Sequence, residues 1–193
     1  MGAVAAERRL PGAEGLWVFI GVDMVIFAIL FFTFLDERHD AVALFEAGRR
    51  TLDPNFGGVN TLILLSSSWC VAMATVRAEQ DRLEAIPPWL AGAFFCGLAF
   101  TLSKVLEYAG KLDAGFTPAT NAFYMHYFVL TALHLLHVIG GTVLLAVLWK
   151  MARTGAFHSR RLVVLESGAI YWHMVDLLWI LLFPLLYLLR APA

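Results

Sequence analysis

Apolar residues along this chain gather into five blocks, at about 15–35, 58–76, 88–108, 122–149 and 167–189, separated by charges, proline and glycine. At 1.5 Å of rise per residue the shortest block spans about 28 Å, close to the hydrocarbon thickness of a bilayer. Backbone amides have no water partners there, so segments of this length must be helical. The two-residue alternation of a membrane barrel is absent. The pattern therefore predicts an all-α integral membrane protein, a single domain over 1–193 built as a five-helix bundle. The first block is longer than the apolar stretch of a signal peptide, and Asp36-Glu37-Arg38 follows it in place of a small-residue cleavage site. It reads as an uncleaved span.

Local signals refine the elements. Pro87-Pro88 suits the first turn of the third helix, where amides need no partner. Pro184 lies inside the fifth block and predicts a kink. The segment 36–57 reads as the longest loop. Ala93 and Gly97 form a small-xxx-small pair, Gly140-Gly141-Thr142 thins the fourth helix, and Ser66-Ser67-Ser68 supplies hydroxyls for bonds within or between helices.

Composition fits this class: 60% of the 193 residues are hydrophobic and 15% charged. A net charge of −1 leaves no basic footprint for nucleic acid. Cys70 and Cys96 both fall within apolar blocks and read as small packing residues. Orientation follows the positive-inside rule. Arg8, Arg9, Arg77, Arg82, Lys150, Arg153, Arg160 and Arg161 lie on one side, against Arg38, Arg49, Arg50, Lys111 and Arg190 on the other, where the long loop also carries five acids. The N-terminus is thus expected in the cytoplasm and the C-terminus in the periplasm. Trp17, Trp89, Trp149 and Tyr108 fall near span ends, as an aromatic belt requires.

Ionisable residues at membrane depth are costly and face the bundle interior or a water cavity. Here they are Asp23, Lys104, Glu107, His126, His134, His137, His173 and Asp176. Lys104 and Glu107 are three apart on one helix face and suit an ion pair, with a place in a proton path as the sharper reading. His134 and His137 share a face of the fourth helix, His126 lies on nearly the same side, and His173 and Asp176 repeat the three-residue step on the fifth. One reading is haem or metal ligation from two helices. The other is hydrogen bonding between helices that satisfies groups which hydrocarbon would leave bare. No cysteine lies close to these histidines, and the paired Glu-x-x-His of di-iron bundles is missing. Asp23 sits about eight residues into the first helix, roughly 12 Å along it. A carboxyl at that depth is neutral or paired, and His137 or His173 lies at comparable depth. Glu166, at the cytoplasmic end of the fifth helix, is favourably placed against its dipole.

Several motifs resemble one family. The run Phe19 to Phe32, with Asp23 in an aromatic setting, resembles the helix of haem-copper (cytochrome c) oxidase subunit III that carries a buried carboxylate. Asn60-Thr61 through Ser67 resembles that family's next helix, and Glu107-Tyr108 its Glu-Tyr at the end of the following one. His134-x-x-His137-Val138 with Gly140-Gly141, and Glu166 through Trp172-His173-x-x-Asp176 to Trp179, match its last two helices. The similarity covers nearly all of 15–190 in the family's order. It implies a non-catalytic membrane subunit with neither haem nor copper of its own, which binds structural phospholipid, packs on catalytic subunit I of a haem-copper oxidase and supports proton uptake. It also implies the five-helix form, with the N-terminus inside, found in the bacterial inner membrane. Asp23 stands where the family usually has Glu, and Lys104 where a neutral amide is common. Together with the short stretch before the first span, these features resemble the branch associated with bacterial nitric oxide reductase, so a catalytic subunit of that enzyme is the other partner expected. The Asp also leaves open any role of the family's buried Glu. Two alternatives from other classes remain at this point: a stand-alone haem-binding membrane oxidoreductase using His137 and His173, and a small proton-coupled carrier using Asp23 and the histidines. Five spans do not divide into the equal halves of an inverted repeat, which weighs against the carrier.

Overall fold

The computed structural model describes residues 12–155 and 162–190. Arg8, Arg9, Arg160 and Arg161, counted above for orientation, lie outside the described residues. Five helices are long and apolar enough to cross a membrane. They are α1 (Glu14–Asp40), α3 (Pro54–Glu79), α4 (Ile86–Asp113, entered through a 3-10 turn Leu83–Ala85), α5 (Ala122–Arg153) and α6 (Leu162–Phe183). Each predicted span is present, but α1, α3, α4 and α5 extend past the apolar blocks by a turn or more. Their charged ends, such as Asp36 to Asp40 and Lys150 to Arg153, continue the same hydrogen-bonded helix beyond the hydrocarbon. Water satisfies side chains there without ending the helix.

The helix starts follow from local chemistry. Asp53 caps α3 by accepting the Asn55 amide, with Pro54 in the first turn, and Asn121 caps α5 by accepting the Tyr124 amide. Pro87 and Pro88 occupy the first turn of α4, as expected. The chain leaves α4 and α5 through Gly115 and Gly155, both in the left-handed region (φ +81° and +65°) that favours glycine.

Two expectations need correction. The segment 36–57 is not a plain loop, because it contains α2 (Val42–Arg49). Phe45, at 1% exposure, packs edge-on to Phe34 and Phe123, and Gly48 faces Phe123, so eight residues gain enough tertiary burial to hold a helix too short to persist alone. Pro184 does not kink a continuing α-helix. α6 ends at Phe183, and Pro184–Leu188 forms a π-helical turn closed by the Leu189 amide donating to the Pro184 carbonyl at 2.9 Å. Proline lacks an amide hydrogen and its ring crowds the carbonyl four residues back; the wider turn accommodates both.

The core lies where α3, α4, α5 and α6 pack together, around Leu64, Phe100, Trp172, Trp179 and Leu182. Small residues permit close approach: a Cβ on Gly141 would lie 2.6 Å from the Trp172 ring, and one on Gly97 would lie 2.4 Å from Thr142 Oγ1. Helix α1 is peripheral. Only 17% of its most apolar window is buried, against 50% for α5 and α6. It meets the bundle through Asp23, Phe27 and Phe34, which recur on one stripe.

Candidate functional site: the polar ties between helices

The largest polar cluster surrounds Lys104, which has no exposed surface. Its Nζ donates to Glu107 Oε2 at 2.8 Å and to the Tyr187 hydroxyl at 3.3 Å. Tyr127 and Tyr187 both donate to Glu107 Oε1, at 2.8 and 2.6 Å. The rings of Tyr108, Tyr127, Trp179 and Tyr187 stand with centroids 5.3–5.9 Å from the ammonium. Tyr108 in turn shares a 2.6 Å hydrogen bond with Thr131. One ion pair on α4 is thereby tied to α5 and to the turn after α6. The predicted Lys104–Glu107 pair is present. Its two tyrosine partners, Tyr127 and Tyr187, were not among the residues singled out from the sequence, because a tyrosine in an apolar run carries no signal of what its hydroxyl will meet.

A second tie joins α1 to α5. His137 Nε2 lies 3.1 Å from Asp23 Oδ1, which realises the pairing expected for Asp23 with His137 as the partner. His137 Nδ1 lies 2.8 Å from the Leu133 carbonyl, which only accepts, so the Nδ1 proton is committed there. Phe19 and Phe27 flank the imidazole, and the Tyr171 hydroxyl donates to the His137 carbonyl. Nearer the α2 end, His126 Nδ1 bonds the Ala122 carbonyl at 3.0 Å and lies 3.7 Å from Glu37.

A third set of ties joins α3 to α6 and to α4. Ser68 Oγ and His173 Nδ1 are 2.5 Å apart, and Ser67 donates to the Ala93 carbonyl at 2.9 Å, while Ser66 turns back to its own helix. Trp179 Nε1 donates to Thr61 at 3.0 Å. At the start of α6, Glu166 accepts the Gly12 amide at 3.3 Å and Ser167 the Ala13 amide at 3.0 Å, which fastens the beginning of α1. Glu166 is the fifth residue of α6, which begins at Leu162. Outside the spans, Arg49 closes α2 with two hydrogen bonds to Glu46 at 2.6 and 2.9 Å and one to the Tyr187 carbonyl at 3.3 Å. The Glu46 carboxylate holds the Arg49 guanidinium above its ordinary value.

The histidines do not form the single ladder expected. His137 and His126 turn toward α1 and α2, whereas His134 is fully buried between Phe100 and Trp179, on the α4 and α6 side. Three residues along a helix is a 60° turn, enough in a crowded bundle to send neighbours to different helices. Nor does His173 pair with Asp176. Asp176 is buried with Ser68 beside it, but neither carboxyl oxygen has a hydrogen bond of ordinary geometry among the described residues. Among those residues, no three His, Cys, Asp or Glu side chains come together to hold a metal ion. The two histidines of the haem alternative, His137 and His173, are engaged with different helices.

Lys104, Glu107, Asp23, His137 and His173 tie helices of one bundle together, while the buried side chains of Asn60, His134 and Asp176 make no hydrogen bond among the described residues. The description "Cytochrome c oxidase subunit III" belongs to the family model that matches residues 11–190, nearly the whole chain. The chain belongs to the cytochrome c oxidase subunit III family. It is a multi-pass protein of the bacterial inner membrane. It is 36% identical over 132 residues to cytochrome c oxidase subunit 3 of Thermostichus vulcanus, a match covering 68% of this chain and 64% of that one. It is 33% identical over 176 residues to cytochrome c oxidase subunit 3 of Synechocystis sp., covering 91% and 74%. It is 29% identical over 181 residues to cytochrome bo(3) ubiquinol oxidase subunit 3 of Pseudomonas aeruginosa, covering 92% and 84%. Subunit III relatives thus include partners of both cytochrome c and quinol oxidases by name, so family membership alone does not choose the electron donor.

Proposed function

We propose that this chain is the non-catalytic subunit III of a haem-copper oxidase, seated against the catalytic subunit I, with its N-terminus in the cytoplasm and its C-terminus in the periplasm. In this role it stabilises the catalytic subunit, holds phospholipid at the helix surface and supports proton uptake. The observation that carries the reading is the use made of its membrane-embedded polar groups. Lys104, Glu107, Asp23, His137 and His173 each make at least one polar contact to another helix of the same bundle or to its closing turn. A subunit that does no chemistry needs such ties and nothing more. Peripheral α1, with Val18, Val22, Val25, Ile29 and Phe32 facing outward, offers apolar surface to lipid or to a neighbouring subunit.

The oxidase names of the relatives above favour an oxygen-reducing partner over the nitric oxide reductase branch. The test is purification of the tagged chain in mild detergent, with a visible spectrum and identification of what accompanies it. The reading predicts a haem-bearing subunit I of an oxidase. A nitric oxide reductase catalytic subunit would move the chain to the other branch, and haem on the lone chain would overturn the reading.

A further inference from the structure

The chain has five tyrosines, and their hydroxyls meet acceptors of different chemistry. Tyr108 and Tyr124 each share a hydrogen bond with a threonine, Thr131 at 2.6 Å and Thr51 at 2.9 Å. Tyr171 donates to the His137 carbonyl at 3.1 Å. Neither a threonine hydroxyl nor a peptide carbonyl takes up a proton near neutral pH. Tyr127 and Tyr187 differ from the other three. Both are fully buried, and both donate to Glu107 Oε1, at 2.8 and 2.6 Å, within the reach of a general base.

A phenol hydrogen-bonded to a base is a group from which an electron can leave. Loss of the electron alone would put a positive charge on the ring, in an apolar setting and beside the Lys104 ammonium, and both oppose it. Loss of the electron together with the hydroxyl proton leaves a neutral phenoxyl radical, and Glu107 stands ready to take that proton. Protonating Glu107 strips a fully buried ammonium of its counter-ion, which is a costly state. The carboxyl also borders an open pocket of about 230 Å³ with Thr51, Asp53 and Lys111, so the proton has a way out. Its departure restores the ion pair with the radical still in place. Further rings adjoin the pair on both sides, Trp179 at 6.4 Å from Tyr187 and Tyr108 at 6.2 Å from Tyr127, centroid to centroid. Burial of both phenols shields the radical from side reactions.

We propose that Tyr127 and Tyr187 form a redox-active pair that takes up one oxidising equivalent from a one-electron oxidant, chemically a radical formed in oxygen reduction. One tyrosine gives the oxidant an electron, its O–H bond breaks, and the proton passes to Glu107 and out through the pocket. The oxidant is reduced by one electron, the tyrosine becomes a neutral radical, and one proton is released. This goes beyond the subunit reading and does not depend on it; the pair turns over no substrate.

The purified full chain is illuminated with the photo-oxidant tris(bipyridyl)ruthenium and hexaammineruthenium as quencher, frozen under illumination and examined by electron paramagnetic resonance. A pH-indicator dye follows the proton in a parallel flash experiment. The wild type gives a neutral tyrosyl signal and releases a proton. Tyr127→Phe and Tyr187→Phe, made singly, each leave one phenol on the carboxylate and keep the signal, whereas the double variant loses it. Tyr124→Phe/Tyr171→Phe, which removes as many hydroxyls that lack a base, keeps it. No tyrosyl signal in the wild type, or a radical formed without proton release, would overturn the proposal; these two arms decide it if the double variant does not fold. So would a signal that survives in the Tyr127/Tyr187 double variant, one lost in either single variant, or one lost in the Tyr124/Tyr171 variant. A chain that gives the signal but brings no subunit I would overturn the subunit reading and leave this one standing.

Discussion

Replacing Glu107 by Gln should be among the most damaging single changes in the bundle. Its carboxylate, with 9% of the side chain exposed, accepts from Lys104, Tyr127 and Tyr187 together. The amide retains one acceptor, turns a donor group toward donors and leaves a fully buried ammonium without its counter-ion. Breaking one side of a buried pair costs about 3–5 kcal/mol. Lys104→Met removes the cation but leaves Glu107 its two tyrosine donors and an edge on the open pocket lined by Thr51, Asp53 and Lys111. That change should cost less, about 1.5–3 kcal/mol, the worth of hydrogen bonds to a charged group. In the double variant no charge is left unpaired, so its destabilisation should fall short of the sum of the singles by about 1–3 kcal/mol, the coupling typical of contacting residues. Unfolding of the purified chain by a denaturing detergent, followed by tryptophan fluorescence, measures all three. Trp179, whose ring lies 5.3 Å from Lys104 Nζ, reports from within the cluster. Glu107→Gln within about 1 kcal/mol of wild type, or a strictly additive double variant, would refute the reasoning.

Other changes test other parts of the architecture. Asp23→Ala leaves His137 Nε2 without its partner and should destabilise the docking of α1 by about 1–3 kcal/mol, whereas Asp23→Asn can donate to that nitrogen and should cost clearly less; protease protection of α1 in detergent distinguishes them. Gly141→Ala drives a methyl into the buried Trp172 ring and should cost about 1–3 kcal/mol in the same unfolding assay. Gly21→Ala, with nothing within 4 Å of the added carbon, should leave stability unchanged or slightly raised. Periplasm-active reporters fused after Gly115 and after Arg190 should be active, and one fused after Gln80 inactive; the reverse pattern would invert the proposed orientation.

Hydrophobic patterning made the five spans legible because a bilayer permits so few solutions: length and apolarity decide existence and type. It did not fix their ends, since a helix continues through the interface once water can solvate its charges. Helix α2 was hidden because its stability comes from Phe45 wedged between Phe34 and Phe123, contacts made only after the chain folds back. The polar ties were half legible. Spacing on one helix sufficed for Lys104–Glu107, and matching depth narrowed the partner of Asp23 to His137 or His173, of which the structure takes His137. The same spacing misled for His134 and His137 and for His173 and Asp176, where a 60° difference in direction sends adjacent polar groups to different neighbours. Tyr127 and Tyr187 were missed because nothing in their surrounding sequence marks a hydroxyl as part of a charged cluster.

The central claim is that the chain serves a haem-copper oxidase as a cofactor-free subunit bound to the catalytic one. Native mass spectrometry of the purified complex under gentle activation tests it most directly. The account predicts one copy per catalytic subunit, ejected as a bare polypeptide with at most lipid attached, while haem stays with the larger partner. A chain that leaves carrying haem, or that never associates with a haem-bearing subunit, would contradict it.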